Sequence, residues 1–132
     1  IRRQSGYILN VASTAAFQPG PMMATYFATK HYVLALSEAV AHEWKAKGVK
    51  VCALCPGPTA TEFFNQADMN NSTMMKSIKL PSAEEVSRFG LDNLFKGKTV
   101  AVHGFLNRFL VFIGRLAPRN TITALTAKAL KK

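Results

Sequence analysis

Acidic residues are scarce in this sequence. Its 132 residues include 7 Asp and Glu against 17 Lys and Arg, so the formal net charge is +10. Such an excess of positive charge attracts phosphate-rich partners, namely nucleic acids and anionic membranes. No helix-turn-helix, zinc-finger or aromatic-basic strand pattern accompanies the charge. We therefore expect no nucleic-acid partner.

Long apolar segments are also absent. No apolar run reaches the roughly eighteen residues that span a bilayer. The basic start, Ile1-Arg2-Arg3-Gln4, is not followed by the apolar stretch of a signal peptide. We predict a cytoplasmic protein and leave peripheral contact with a membrane open. Because the first residue is isoleucine, we also expect that an upstream segment is missing.

Cysteine is rare, with only Cys52 and Cys55, both in the run "VKVCALCPG". Their C-x-x-C spacing alone would suit a redox pair or half of a metal site. The run is typical of a β-strand, however, in which residues three apart point to opposite faces. No second Cys/His pair completes a zinc site. We predict two buried structural thiols in a reducing compartment and no bound metal.

The apolar segments that do occur predict a strand, a helix and a second strand. Residues 6–13, "GYILNVAS", form a nearly continuous apolar run, which predicts a central parallel strand covered on both faces. The breakers Pro19-Gly20-Pro21 predict a loop, and residues 23–47 contain neither Pro nor Gly and suit a helix. Gly48 ends that helix, and residues 49–55 form the next strand. This is a βαβ unit.

The second half of the sequence extends this pattern. Ser82 is a predicted N-cap, followed by Glu84 and Glu85 in the first helical turn, and Gly97 lies near the end of the helix. Residues 99–104, "TVAVHG", predict a third parallel strand. The resulting order βαβαβ, with C-terminal helices, predicts an α/β fold. No repeat or change of composition marks a boundary, so we expect residues 1–132 to belong to one domain.

Two predicted helices have apolar surfaces that suit contact with another subunit, a membrane or a substrate. The helix over 23–47 is apolar around much of its circumference, so we hypothesise a dimer interface there. The segment after residue 104 predicts an amphipathic helix that carries Arg108 and Arg115 and is stopped by Pro118. It opens a basic segment over about 105–132. This helix suits an anionic membrane or a lid over an apolar substrate, but packing on the domain or on a partner subunit is the favoured interpretation.

The stretch "YFATK" places Tyr26 and Lys30 four residues apart, on one face of the predicted helix. An unperturbed phenol titrates near 10, and a nearby ammonium favours the phenolate form. Such a pair can exchange protons at neutral pH. The Y-x-x-x-K spacing alone is weak evidence, because tyrosine and lysine are common.

Two further motifs strengthen that interpretation. Ser13 ends the first strand thirteen residues before Tyr26, and "PGPTAT" at 56–61 follows the second strand. Serine at a strand end is otherwise a turn or cap residue, and 56–61 is otherwise a plain turn. Ligands bind at the carboxyl ends of the strands in open α/β sheets. We therefore expect these residues to line one crevice.

The three motifs together resemble the short-chain dehydrogenase/reductase family. "NVAS" at 10–13, "YFATK" at 26–30 and "PGPTAT" at 56–61 stand in the family's order and spacing. The resemblance covers most of residues 5 to 104. It implies a partial Rossmann-like, doubly wound parallel sheet that binds NAD or NADP, with NADP slightly favoured.

The resemblance also implies roles for individual residues. Tyr26 would be the general acid/base that exchanges a proton with the substrate oxygen. Lys30 would favour the phenolate and hydrogen-bond the nicotinamide ribose, and Ser13 would hydrogen-bond the substrate oxygen. The substrate would be a small carbonyl compound or secondary alcohol. Separately from the resemblance, the apolar and methionine content of residues 63–80 favours a lipophilic substrate. The other cofactor contacts that the resemblance implies are Pro56, Gly57, Thr59 and Thr61.

The family's glycine-rich turn, its Asn-Ala-Gly motif and a further catalytic asparagine are not found in the sequence. We therefore identify the chain as the C-terminal half of a family member, unable to bind a dinucleotide unaided. The first hypothesis is an NAD(P)-dependent oxidoreductase seen as a fragment. The alternative is an inactive fragment that serves as a dimerisation or membrane-surface module.

Overall fold

The structure is a computed structural model, which describes residues 5–60 and 80–131. The predicted α/β fold is confirmed, with the order strand, helix, strand, helix, strand and then C-terminal helices. Short 3-10 helices follow the first strand and the first long helix. The strands and α-helices are β1 (Gly6–Val11), α1 (Ala24–Trp44), β2 (Val49–Cys55), α2 (Ala83–Phe95), β3 (Val100–Val102), α3 (Phe105–Leu116) and α4 (Arg119–Leu130).

The three strands form one parallel sheet in the order β1-β2-β3. The prediction that the first strand is central is wrong for the described residues, because β2 holds that place. Within those residues β1 pairs along one edge only, and its Tyr7 and Val11 are 58% and 57% exposed. An apolar run predicts that a strand is buried, but it does not show which neighbouring elements bury it.

Helices cover both faces of the sheet. Along β2, successive side chains point to opposite faces, so Cys52 and Cys55 fall into separate core clusters. The Cys55 cluster contains Leu34 of α1, whereas the Cys52 cluster contains Val86 and Leu94 of α2. The doubly wound arrangement and the two buried, unpaired thiols are therefore both as predicted.

The helix ends follow from local sequence. The Ser82 hydroxyl accepts a 3.1 Å hydrogen bond from the Glu85 N–H, which caps α2 as predicted. Gly97 and Gly48 adopt φ values of 77° and 70°, and at these angles a residue with a Cβ is strained. Each glycine ends its helical segment near the predicted residue. The first of these segments runs through a 3-10 turn at Lys45–Lys47.

The C-terminal segment folds as two helices on either side of Pro118. Helix α3 occupies the predicted amphipathic segment, but none of its residues is buried. The favoured prediction, packing on the domain or on a partner subunit, stays a prediction. Asn107 contacts Gly57 and Arg115 lies 5.7 Å from the Phe17 ring, whereas the large apolar side chains of α3 are exposed. The second helix, α4, was expected only as part of a basic segment. None of the helices in the described ranges is long and apolar enough to cross a membrane.

Candidate active site

The loops at the carboxyl end of the sheet are held together by backbone hydrogen bonds. Beyond the last residue of β1, the Ala12 N–H donates to the Leu54 carbonyl over 2.8 Å. The Thr14 N–H donates to the Pro56 carbonyl over 2.9 Å. Ser13 lies between these two bonds, so its position beside the turn after β2 is fixed by the backbone.

Helix α1 is attached to the end of β1 by two side-chain bonds. The Asn10 amide donates to the Ser37 hydroxyl over 2.9 Å, and that hydroxyl donates to the Val33 carbonyl over 2.6 Å. Ser37 is fully buried, so these bonds satisfy a hydroxyl that water cannot reach. About two turns before Ser37 in α1, Lys30 Nζ donates to the Val11 carbonyl over 2.9 Å. Together these bonds hold the start of α1 at the carboxyl end of the sheet.

Tyr26 and Lys30 share one face of α1, as their spacing predicts. Lys30 Nζ lies 5.7 Å from the centre of the Tyr26 ring. The Tyr26 ring also contacts the Phe27 ring edge to face, with 5.9 Å between the ring centres. An ammonium group has three N–H donors, so Lys30 Nζ keeps donors beyond the one that bonds the Val11 carbonyl. The pair can therefore present both a phenol and an ammonium to a ligand.

The Ser13 hydroxyl caps a short helix and keeps a proton for a further hydrogen bond. Its hydroxyl oxygen accepts a 3.1 Å bond from the Ala15 N–H and so caps the 3-10 helix Thr14–Phe17. A hydroxyl that accepts a hydrogen bond still has its own proton to donate. The cap therefore orients Ser13 without removing it as a donor to a ligand.

One cavity of about 380 Å³ gathers the predicted residues that the structure describes, a volume in the usual range for small-molecule sites. Thr61 lies outside the described residues. Much of the rest of the cavity wall is apolar and includes Val11, Phe27 and Val86. Helix α4 supplies Leu130 to this wall, which no sequence motif had indicated. The predicted residues that line the cavity are Ser13, Tyr26, Lys30, Pro56, Gly57 and Thr59.

The turn after β2 is tightly packed. The Thr59 hydroxyl is nearly buried and donates to the Gly57 carbonyl over 3.0 Å. A Cβ on Gly57 would lie 2.5 Å from the side-chain nitrogen of Asn107 in α3, so a larger residue here would have to displace that side chain. The Asn107 amide is itself held by a 2.8 Å bond to the His103 carbonyl. Any contact of Gly57 with a ligand is therefore made by its backbone.

The two cysteine thiols are buried and have raised pKa values. Burial raises the pKa of Cys55 to about 12 from an ordinary 9.0, although the backbone N–H of Ser13 acts in the opposite direction. Burial likewise raises the pKa of Cys52, against the smaller opposing effect of Lys98. Both residues are fully buried. Since the thiolate is the nucleophile, neither is suited to covalent chemistry.

We expect both thiols to be unreactive in the folded protein. A thiol reagent at pH 8 should label neither Cys52 nor Cys55 under native conditions and should label both after denaturation. Rapid labelling of either thiol in the native protein would contradict the burial seen here.

The raised pKa of Cys55 also means that its contribution to stability is complete below pH 9.0 and falls as the pH rises towards about 12. A Cys55→Ala variant should show a shallower loss of unfolding free energy over that range.

Known proteins resemble this chain in sequence and in fold. The family model described as short chain dehydrogenase matches residues 1–72. The hydroxysteroid dehydrogenase-like protein 1 of Gallus gallus is 34% identical over 94 residues, which are 71% of this chain and 28% of that protein. A short chain dehydrogenase from Burkholderia cenocepacia, solved in complex with NADP, aligns with a TM-score of 0.71 and 26% identity. The alignment covers 96% of this chain and 50% of that one.

A second structure supports the fold alone. The short-chain dehydrogenase from Sphingobium yanoikuyae, solved in complex with NADPH, aligns with a TM-score of 0.69 at 24% identity. The alignment covers 87% of this chain and 44% of that one. The chain thus spans half or less of the length of each of these relatives.

The comparisons correct the identification of the chain as the C-terminal half of a family member. The family model instead matches residues 1–72, the N-terminal part of this chain, and the match includes β1, which starts at Gly6. Short motifs identify a family, but they do not measure how far along its fold a chain extends. We therefore do not keep the assignment to a C-terminal half.

The matched segment nevertheless contains every candidate residue named above, from Ser13 to Thr61. It extends over more than half of the 132 residues. The chain therefore belongs to the short-chain dehydrogenase family.

Proposed function

We propose that this chain carries the catalytic residues of an NAD(P)-dependent oxidoreductase that interconverts a carbonyl compound and its secondary alcohol. The observation that supports this is the meeting of the Tyr26 phenol, the Lys30 ammonium and the Ser13 hydroxyl in one cavity. That cavity opens at the carboxyl end of a parallel sheet, the usual ligand position in open α/β folds. Many other residues of the cavity wall are apolar.

The residues present fit the nicotinamide end of a dinucleotide. The Lys30 ammonium keeps donors for a ribose hydroxyl, and the packed turn at Pro56, Gly57 and Thr59 offers backbone groups to a flat ring. A bound nicotinamide cofactor would supply or accept the hydride. We propose NADP ahead of NAD, because the Burkholderia cenocepacia structure was solved with NADP.

The chain's own residues would then handle the proton and the developing charge. In the reducing direction the Tyr26 phenol donates a proton to the substrate oxygen. The Ser13 hydroxyl donates a hydrogen bond to the same oxygen, which stabilises its negative charge as the carbonyl is reduced. The Lys30 ammonium stabilises the phenolate that Tyr26 becomes. In the oxidising direction the same groups act in reverse.

The apolar wall supports a lipophilic substrate. Met23 and Phe27 of the α1 region, Val86 of α2 and Leu130 of α4 face the cavity from several sides. A substrate with a hydrocarbon body would bury its surface against these side chains. The Gallus gallus relative carries hydroxysteroid dehydrogenase in its name, which is consistent with a substrate of this class.

The decisive experiment measures turnover of ketones and alcohols by the full-length protein with NADP(H) and NAD(H), followed by the absorbance of the reduced nicotinamide. We expect activity in the wild type and a loss of about 10²-fold or more in kcat for Ser13→Ala. Ser82→Ala is a matched control, because Ser82 also caps a helix with a 3.1 Å bond but is not among the cavity-lining residues. Both variants should lose about 1 kcal/mol of stability with the cap.

Only Ser13→Ala should lose turnover. An equal effect of the two substitutions would mean that Ser13 acts through folding alone. Absence of any nicotinamide-dependent turnover in the wild type, across apolar ketones and alcohols, would remove the proposed function.

A further inference from the structure

Helix α3 exposes a wide apolar surface. At about 100° per residue, its large apolar side chains fall within an arc of roughly 160° on one side of the helix. Asn107, whose amide lies against Gly57, is on the side that faces the domain. Each apolar side chain in the arc is between 42% and 79% exposed. We call this surface the α3 apolar face, and it consists of Phe105, Leu106, Phe109, Leu110, Phe112, Ile113 and Leu116.

Basic groups border the α3 apolar face. Arg108 and Arg115 lie at one edge of the arc, with the Arg108 guanidinium 6.0 Å from the Phe105 ring and that of Arg115 5.7 Å from Phe17. From His103 to the end of the sequence there is no Asp or Glu. The six basic residues of that segment are Arg108, Arg115, Arg119, Lys128, Lys131 and Lys132.

We propose that the α3 apolar face docks on the surface of an anionic lipid bilayer. A short helix with a broad apolar arc and a basic border is suited to lie in the plane of the interface, with its apolar side chains among the acyl chains. The basic groups then meet the lipid phosphates, and each cation near such a surface adds to the affinity. With 12 residues, α3 is too short to span the bilayer.

Charge complementarity favours lipid over a second copy of the chain. In an antiparallel two-fold contact through α3, Arg108 and Arg115 of each copy would approach the same basic border of the other. Like charges brought together in this way oppose association. The segment from His103 onward has no carboxylate that could offset them, whereas an anionic bilayer supplies negative charge over the whole contact.

The test uses the full-length protein with sedimented vesicles of phosphatidylcholine alone or mixed with phosphatidylglycerol. We expect binding to the mixed vesicles, weaker binding to phosphatidylcholine, and release by added salt. Phe109→Glu should lower binding to the mixed vesicles at least tenfold. Phe95→Glu is a matched control, since Phe95 is 55% exposed and Phe109 is 52% exposed, and Phe95 lies on α2. It should bind like the wild type.

Substituting Arg108→Gln or Arg115→Gln should each lower binding to the anionic vesicles about fivefold and leave the neutral ones unaffected. Equal binding to both kinds of vesicle would overturn the choice of an anionic surface, and equal loss in Phe95→Glu would show that α3 has no special role. Absence of vesicle binding, with a dimer that Phe109→Glu dissociates, would replace lipid by a second copy. Thermal unfolding of each variant distinguishes these results from misfolding, and none of them depends on turnover.

Discussion

Replacing Tyr26 with phenylalanine should lower kcat by about 10³-fold or more, because the substitution removes the one group proposed to exchange a proton with the substrate. The ring remains, so its edge-to-face contact with Phe27 and its position below Lys30 are retained. We therefore expect unfolding free energy and cofactor affinity to stay close to those of the wild type. Steady-state kinetics and a cofactor titration of the full-length protein measure the two effects separately.

Tyr32→Phe provides the comparison for this variant. Tyr32 lies in the same helix, is 67% exposed and is not among the residues that line the cavity. It should retain full turnover. If Tyr26→Phe also retained turnover, the proton would come from another donor and the proposed mechanism would fail.

Much of the fold was predictable because its signals are local. The Ser82 cap, the glycines at 48 and 97 and the apolar runs each act within a few residues, and the structure has the corresponding elements near the expected ends. The spacing of Cys52 and Cys55 on a strand likewise placed them correctly on opposite faces.

The features that were missed depend on residues distant in sequence. The apolar composition of β1 could not show that, within the described residues, it pairs with β2 alone. Likewise, the amphipathic pattern of α3 indicated an apolar face without showing whether the domain covers it. In both cases the sequence pattern predicts that an apolar surface is buried. Which element buries it depends on the tertiary arrangement.

For the candidate site, the motifs predicted the residues and the structure supplies what positions them. Tyr26 and Lys30 follow from helical spacing, whereas the bond from Asn10 to Ser37 joins residues 27 apart. A polar residue inside each of two apolar segments is the signal that could have revealed this pair, because buried polar groups need partners. The close approach of Asn107 to Gly57 carries no comparable signal, since it depends on how α3 packs against the turn.

Lys30→Met should combine a catalytic loss with a cofactor effect, which sets it apart from Tyr26→Phe. The ammonium that would stabilise the phenolate is removed, so kcat should fall about 10²-fold or more. The donor proposed for the ribose is removed as well, so the KM for the nicotinamide cofactor should rise about tenfold. Stability should change by only about 1 kcal/mol, because the bond from Lys30 to the Val11 carbonyl is exposed.

Lys47→Met is the control, because both lysines lie over an aromatic ring but only Lys30 borders the cavity. Lys47 Nζ lies 4.6 Å from the Trp44 ring centre, and its removal should leave kcat and the cofactor KM unchanged. If Lys30→Met altered stability alone, Lys30 would serve only to join α1 to the end of β1. If it altered kcat and the cofactor KM together, the ammonium would act on both Tyr26 and the cofactor. That double effect, together with a stability change of only about 1 kcal/mol, separates a role in the site from the joining of α1 to β1.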